Sequence, residues 1–125
     1  MSRAYRMLSL LDVNAALPES ELDFWKEVLS RCTECPADVL EGDETSYPET
    51  VEAYLRQDGW TRFCCDVEIT LCGGYSQEDY AEDFRRAMHL LTKDAEPNFR
   101  VSLNVYYLEH DPDLEVEYDR QELAT

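Results

Sequence analysis

Residues 61–72 read TRFCCDVEITLC. Thr61, Phe63, Cys65, Val67, Ile69 and Leu71 fall on one parity, and Arg62, Cys64, Asp66, Glu68, Thr70 and Cys72 on the other. Side chains of a strand alternate between faces, so this period of two predicts a strand with one apolar and one polar face. Gly73-Gly74 then turns the chain. Ser76 is placed to cap a helix whose buried stripe is Tyr80, Phe84, Ala87, Met88 and Leu91.

The same stretch raises a question of chemistry, because three of the five cysteines lie within it. Adjacent strand residues point to opposite faces, so Cys64 and Cys65 cannot both reach one ion. Cys64 and Cys72 share a face but stand about 26 Å apart, at about 3.3 Å per residue. Cys32-Thr33-Glu34-Cys35 has the spacing of half a zinc ribbon. A small zinc protein built on Cys32 and Cys35 is therefore the alternative reading. A thioredoxin-like dithiol fits poorly, since the pair ends a helix beside Glu34, where the thiolate is disfavoured. Cys32 and Cys65 are expected as small core residues.

The flanks extend the pattern. Residues 4–13, AYRMLSLLDV, are apolar on both parities and predict a central strand. Residues 20–32 place Leu22, Trp25, Leu29 and Cys32 at helical spacing, with Ser20 as the expected cap and Cys35-Pro36 as the stop. Residues 37–46 are expected to be a polar connection. Ser46, Pro48 and Glu49 then predict the start of a second helix, with Val51, Tyr54 and Leu55 buried and Gly59 as its left-handed end. Residues 99–108 and 114–119 alternate as two further strands, and the second carries Glu115, Glu117 and Asp119 on its polar side.

These elements predict one α+β domain over residues 1–125, in the order β-α-α-β-α-β-β. The expected architecture is a two-layer sandwich, loosely ferredoxin-like, with a four-stranded sheet and the helices on one face. A chain of 125 residues can bury roughly two-thirds of its unfolded surface and needs neither metal nor disulfide to fold. An odd number of cysteines fits reduced thiols and a cytoplasmic location. Arg3 and Arg6 before an apolar run imitate a leader peptide, but Asp12 and Asn14 interrupt that run. No apolar stretch approaches the ~20 residues of a membrane helix.

Charge carries most of the functional information. Twenty-eight acids face eleven Lys and Arg, for a net charge of −17. Such a surface repels nucleic acid and anionic membranes and attracts basic proteins. Direct DNA binding would need clustered Lys and Arg, and here only Arg85-Arg86 are adjacent. Solubility, or adaptation to high salt, is the bland explanation of the acidity.

The acids are clustered, however. Glu109, Asp111, Asp113, Glu115, Glu117 and Asp119 stand within eleven residues that hold no Lys or Arg. Alternate acids on a strand are spaced about 6.6 Å apart, close to successive phosphates of a nucleic-acid strand. The competing explanation is a charged sheet edge that resists aggregation. Glu109-His110-Asp111-Pro112-Asp113 is also the densest set of potential metal ligands, but it lacks the glycine of an EF-hand loop. No cofactor is expected.

The expected function is stoichiometric association with a basic protein surface. The form expected is an inhibitor of the phage or anti-CRISPR kind that occupies a nucleic-acid channel on its partner. An immunity protein against a basic toxin makes nearly the same physical claim. The expected contacts are Asp111, Asp113, Glu115, Glu117 and Asp119 for charge, with Tyr106, Tyr118 and Tyr75 as anchors. No enzymatic role is expected, and the chain is expected to be a monomer or a homodimer. A carboxylate enzyme would instead need a concave pocket lined by two acids of raised pKa.

Overall fold

The structure is a computed structural model and describes residues 2–45, 47–108 and 110–125. The alternating stretch is a strand, β3, over Thr61–Cys72. Its apolar parity faces inward: Thr61, Phe63, Cys65 and Leu71 are buried, and Val67 and Ile69 are half-buried. β3 pairs along its whole length with β1 (Ser2–Val13), from Ser2 opposite Cys72 to Val13 opposite Thr61. β1 pairs on its other side with β4 (Phe99–Tyr107), so it is the central strand that its two-sided apolar pattern predicts. β2 (Val51–Leu55) and β5 (Leu114–Asp119) form the two edges. The sheet is antiparallel throughout, in the order β2-β3-β1-β4-β5.

β1 and β2 are both antiparallel to β3, and therefore parallel to each other. β3 and β4 stand in the same relation to β1. Parallel strands need a crossover, and helices supply both. α1 (Glu19–Glu34) leads from β1 toward β2, and α3 (Gln77–Thr92) joins β3 to β4. The result is two interleaved βαβ units with β5 added beyond β4.

The core lies between the inner sheet face and these helices. Trp25, Val28, Leu29 and Cys32 of α1, and Tyr80, Phe84, Ala87 and Met88 of α3, pack on Met7, Leu11, Phe63, Phe99, Val101 and Leu103. A buried polar tie crosses the layers. The Ser9 and Thr33 hydroxyls lie 2.7 Å apart, and the Tyr80 hydroxyl donates to the Thr33 carbonyl at 2.6 Å. Buried polar groups need such partners, so β1, α1 and α3 are held in one register.

The α+β class holds, but the sheet has five strands rather than four. The helix expected after Pro48 is a strand. Pro48–Thr50 form one 3-10 turn, and β2 follows. Val51, Tyr54 and Leu55 fit a helical stripe in isolation, but the free edge of β3 offers ladder partners for the backbone and a buried site for Val51. That tertiary pairing overrides a weak local preference. Gly59, at φ 88°, closes a hairpin instead of capping a helix: its N–H donates to Arg56 C=O at 3.1 Å, and Arg56 N–H donates to Trp60 C=O at 2.7 Å. This is the hairpin turn with a glycine bulge.

Three smaller differences follow from packing and sterics. α1 starts one residue before Ser20, with Pro18 at its N-cap and no side-chain cap. The connection after Cys35 contains α2 (Pro36–Leu40), whose Pro36 and Val39 are buried. The chain ends in α4 (Arg120–Leu123), which buries Leu123. Ser46, the expected cap of the second helix, lies outside the described residues. At α3 the expectation is met in full: Ser76 and Asp79 form a reciprocal capping box.

Candidate functional site

The helices pack on one face of the sheet and leave the other to solvent. That outer face is built from the even residues of β1, β2, β3 and β4 and the odd residues of β5. Strand register arranges them in ranks. One rank runs Tyr54, Arg62, Asp12, Arg100, Asp119, and the next runs Glu52, Cys64, Leu10, Ser102, Glu117. A third runs Asp66, Leu8, Asn104, Glu115, and a fourth runs Glu68, Arg6, Tyr106. Leu8 and Leu10 form a half-buried apolar centre, with charge around it.

The arginines of this face are held by its own carboxylates. Arg62 donates twice to Asp12, at 2.7 and 2.8 Å, and Arg56 reaches the same carboxylate at 3.1 Å. Burial acts to raise the Asp12 pKa, but the Arg62 bonds and the two guanidinium charges outweigh it and bring it below the usual value. Arg6 grips Asp66 with two bonds of 2.8 Å, which lower the Asp66 pKa. Arg100 stands 3.8 Å from Glu117. Glu52, Glu68 and Glu115 have no basic partner among the described residues. The face therefore presents net negative charge, with its arginines already paired among the described residues.

The structure separates the expected contact residues. Glu115 and Glu117 are exposed on the outer face, two residues apart on β5. Tyr106 lies on the same face, with the Arg6 guanidinium over its ring at 5.0 Å. Asp119 belongs to the same register but serves as the N-cap of α4, accepting Glu122 N–H at 2.8 Å. Asp113 is likewise occupied, accepting Tyr107 N–H at 3.0 Å, and Asp111 is exposed in the loop before it.

Tyr118 pairs with Val101 and lies half-buried on the inner face, where burial raises its hydroxyl pKa. An odd–even count explains this, since Tyr118 cannot share a face with Glu115 and Glu117. Tyr75 stands in the β3–α3 turn, half-buried, and its hydroxyl donates to Asp83 at 2.6 Å. Burial and that carboxylate both push its pKa up.

Sequence reasoning centred on residues 109–119 missed Glu52, Asp66 and Glu68, which come from β2 and β3. The signal of Asp66 and Glu68 was present in the polar parity of residues 61–72, while Glu52 joins them only through the β2–β3 pairing.

The cysteines are dispersed. Cys32 is fully buried in α1, and burial holds its thiol well above the usual value. Cys65 lies in the core with the Thr50 hydroxyl 3.7 Å away, and burial pushes its pKa up to about 11. Cys35 is half-buried, and burial with the neighbouring acids raises its thiol. Cys64 is half-buried on the outer face, and Cys72 is exposed. Among the described residues no three Cys, His, Asp or Glu side chains converge on a metal position. The ligand set that a zinc reading of Cys32 and Cys35 requires is not found there. Glu109, the first residue of the acidic loop, lies outside the described residues.

One end of the outer face is concave, a hollow of about 620 Å³ edged by Arg6, Glu68, Tyr106, Leu108 and His110. Among the described residues its lining holds one carboxylate, Glu68. Among the described residues no helix is long and apolar enough to cross a membrane. No protein-family model matches the chain, and no curated protein matches it, an enzyme or otherwise.

Proposed function

We propose that this ferredoxin-like sandwich is a non-enzymatic binding protein that docks its uncovered sheet face on a basic protein surface in a reducing compartment such as the cytoplasm. The observation that carries this reading is the internal pairing of Arg6, Arg62 and Arg100 with Asp66, Asp12 and Glu117, while Glu52, Glu68 and Glu115 keep their charge for a partner. A rigid acidic surface with its geometry already set loses little entropy on docking. Leu8 and Leu10 supply apolar contact at its centre, and Tyr106 an aromatic one toward its end. Glu115 and Glu117, about 6.6 Å apart, follow the repeat of a phosphate backbone. The partner class proposed is therefore a protein whose basic groove otherwise holds nucleic acid, and the action is inhibition by occupation, as in phage-encoded inhibitors of host defence.

The experiment is capture of partners from the native host with the wild-type chain and with the Glu115→Lys/Glu117→Lys variant. The captured basic protein should then be titrated against salt. Association that falls roughly tenfold or more between 50 and 300 mM salt, and further on charge reversal, supports the reading. Salt-insensitive association, or full association after reversal, overturns it.

A further inference from the structure

The helix side of the sheet holds a groove of its own, at the end where Val13 pairs with Phe99. There the first turns of α1 meet the turn from α3 into β4, which Ala95 N–H closes by donating to Thr92 C=O at 3.0 Å. The groove between them has a volume of about 630 Å³, a size usual for binding clefts. Trp25, Leu91 and Pro97 give it an apolar lining. Trp25 is backed by Phe99, with ring centroids 5.6 Å apart. Phe24 stands edge-on to Trp25 at 5.2 Å, lines the same groove and keeps 45% of its exposure.

The charge of this groove is one-sided. Its lining includes Glu21 from α1 and Asp94 and Glu96 from the opposite wall, and no Lys, Arg or His. The overall acidity of the chain does not account for this. Four other hollows of the described surface each include at least one arginine, drawn from Arg3, Arg6, Arg56, Arg62, Arg100 and Arg120. None of the three groove carboxylates has an ion-pair partner among the described residues.

Glu21 lies in the first turn of α1, where the helix dipole favours an acid. Asp94 and Glu96 follow the C-terminal end of α3, where the dipole favours a cation. Arg120 donates to the Thr92 and Pro97 carbonyls at that end, and Lys93 is its C-cap, but neither lines the groove. An apolar strip is thus left between two acidic walls with no cation of its own.

We infer that this groove binds a short segment of a partner protein in which one apolar side chain is flanked by lysine or arginine. The apolar side chain packs on Phe24 and Trp25. Its basic neighbours meet Glu21 on one wall and Asp94 and Glu96 on the other, and they offset the negative end of α3. A purely apolar segment would desolvate three carboxylates without pairing them, and an acidic one would be repelled. A second copy of this chain, at −17, fails on the same ground. The groove lies on the opposite side of the sheet from the outer face, so this site and the proposed partner surface can fail independently.

Amide NMR titration of the full chain tests this with the capped peptides Lys-Arg-Leu-Arg-Lys, Lys-Arg-Ser-Arg-Lys and Glu-Glu-Leu-Glu-Glu. The leucine peptide should shift the amides of Phe24, Asp94, Ala95 and Glu96 and the Trp25 indole. The serine peptide should bind there roughly fivefold or more weakly, and the acidic peptide should leave the groove unshifted. Phe24→Ala and Asp94→Lys/Glu96→Lys should each weaken the leucine peptide by roughly fivefold or more, and the charge variant stands in if Phe24→Ala does not fold. The groove shifts should persist in the Glu115→Lys/Glu117→Lys variant. An unshifted groove at millimolar leucine peptide overturns the inference. So do shifts spread over the acidic surface without a maximum at the groove, equal binding of the serine peptide, or full binding to either folded groove variant.

Discussion

Arg62 on β3 and Asp12 on β1 face each other across the outer sheet surface in a two-bond pair of 2.7 and 2.8 Å. The Asp12 side chain keeps only 16% of its exposure, so this is no loose surface contact. Removing Arg62 leaves a largely buried carboxylate with Arg56 alone. We expect Arg62→Ala to cost about 1–2 kcal/mol in urea unfolding, the range for a charge-assisted hydrogen bond that is partly replaced.

The same pair sets an acid dependence. Asp12 and Asp66 have folded pKa values below the usual aspartate value. A depressed carboxyl stabilises the fold above its unfolded pKa, and that stabilisation is lost as pH falls through the folded value. The stability gap between wild type and Asp12→Asn/Asp66→Asn should therefore be full at pH 7 and close below the ordinary aspartate range. Urea midpoints at pH 7, 4 and 2.5 check this, and a gap that widens on acidification would contradict it.

Glu117 and Asp119 look equivalent in sequence and should behave differently. Glu117 is exposed, and Asp119 caps α4. Thermal unfolding should show Glu117→Ala within about 0.5 kcal/mol of wild type, the usual range for a surface site. Asp119→Ala should lose about 1 kcal/mol, the typical worth of an N-cap. Equal losses would mean that the capping box contributes nothing.

Thiol labelling separates the cysteines by burial. In the native protein an aromatic disulfide reagent should react first with Cys72, which is exposed, and more slowly with half-buried Cys64 and Cys35. Cys32 and Cys65 should be protected until unfolding. Rapid labelling of Cys32 in folded protein would contradict the packing of α1.

Much of the fold was legible because it follows local periodicity. β3, β4 and β5 alternate so clearly that their inward residues can be named from parity, and Ser76 announces α3. β2 was not legible. Five residues with apolar positions 51, 54 and 55 satisfy a helical stripe as well as a strand, and only the open edge of β3 decides between them. The candidate site divides in the same way. Glu115 and Glu117 are adjacent in the chain pattern, so their shared face was readable. Asp66, Glu68 and Glu52 join them only through strand pairing.

The amino-acid sequence alone determined the net charge of −17, the strand parity that excludes a joint metal site for Cys64 and Cys65, and the start of α3. Composition and nearest-neighbour sterics act along the chain and need no fold. Only the tertiary structure decided that β2 is an edge strand, that Asp119 caps α4, and that Arg62 is held by Asp12, fifty residues away. Those outcomes depend on which strand finds which neighbour, because a backbone ladder and a charge pair gain free energy only when distant residues meet.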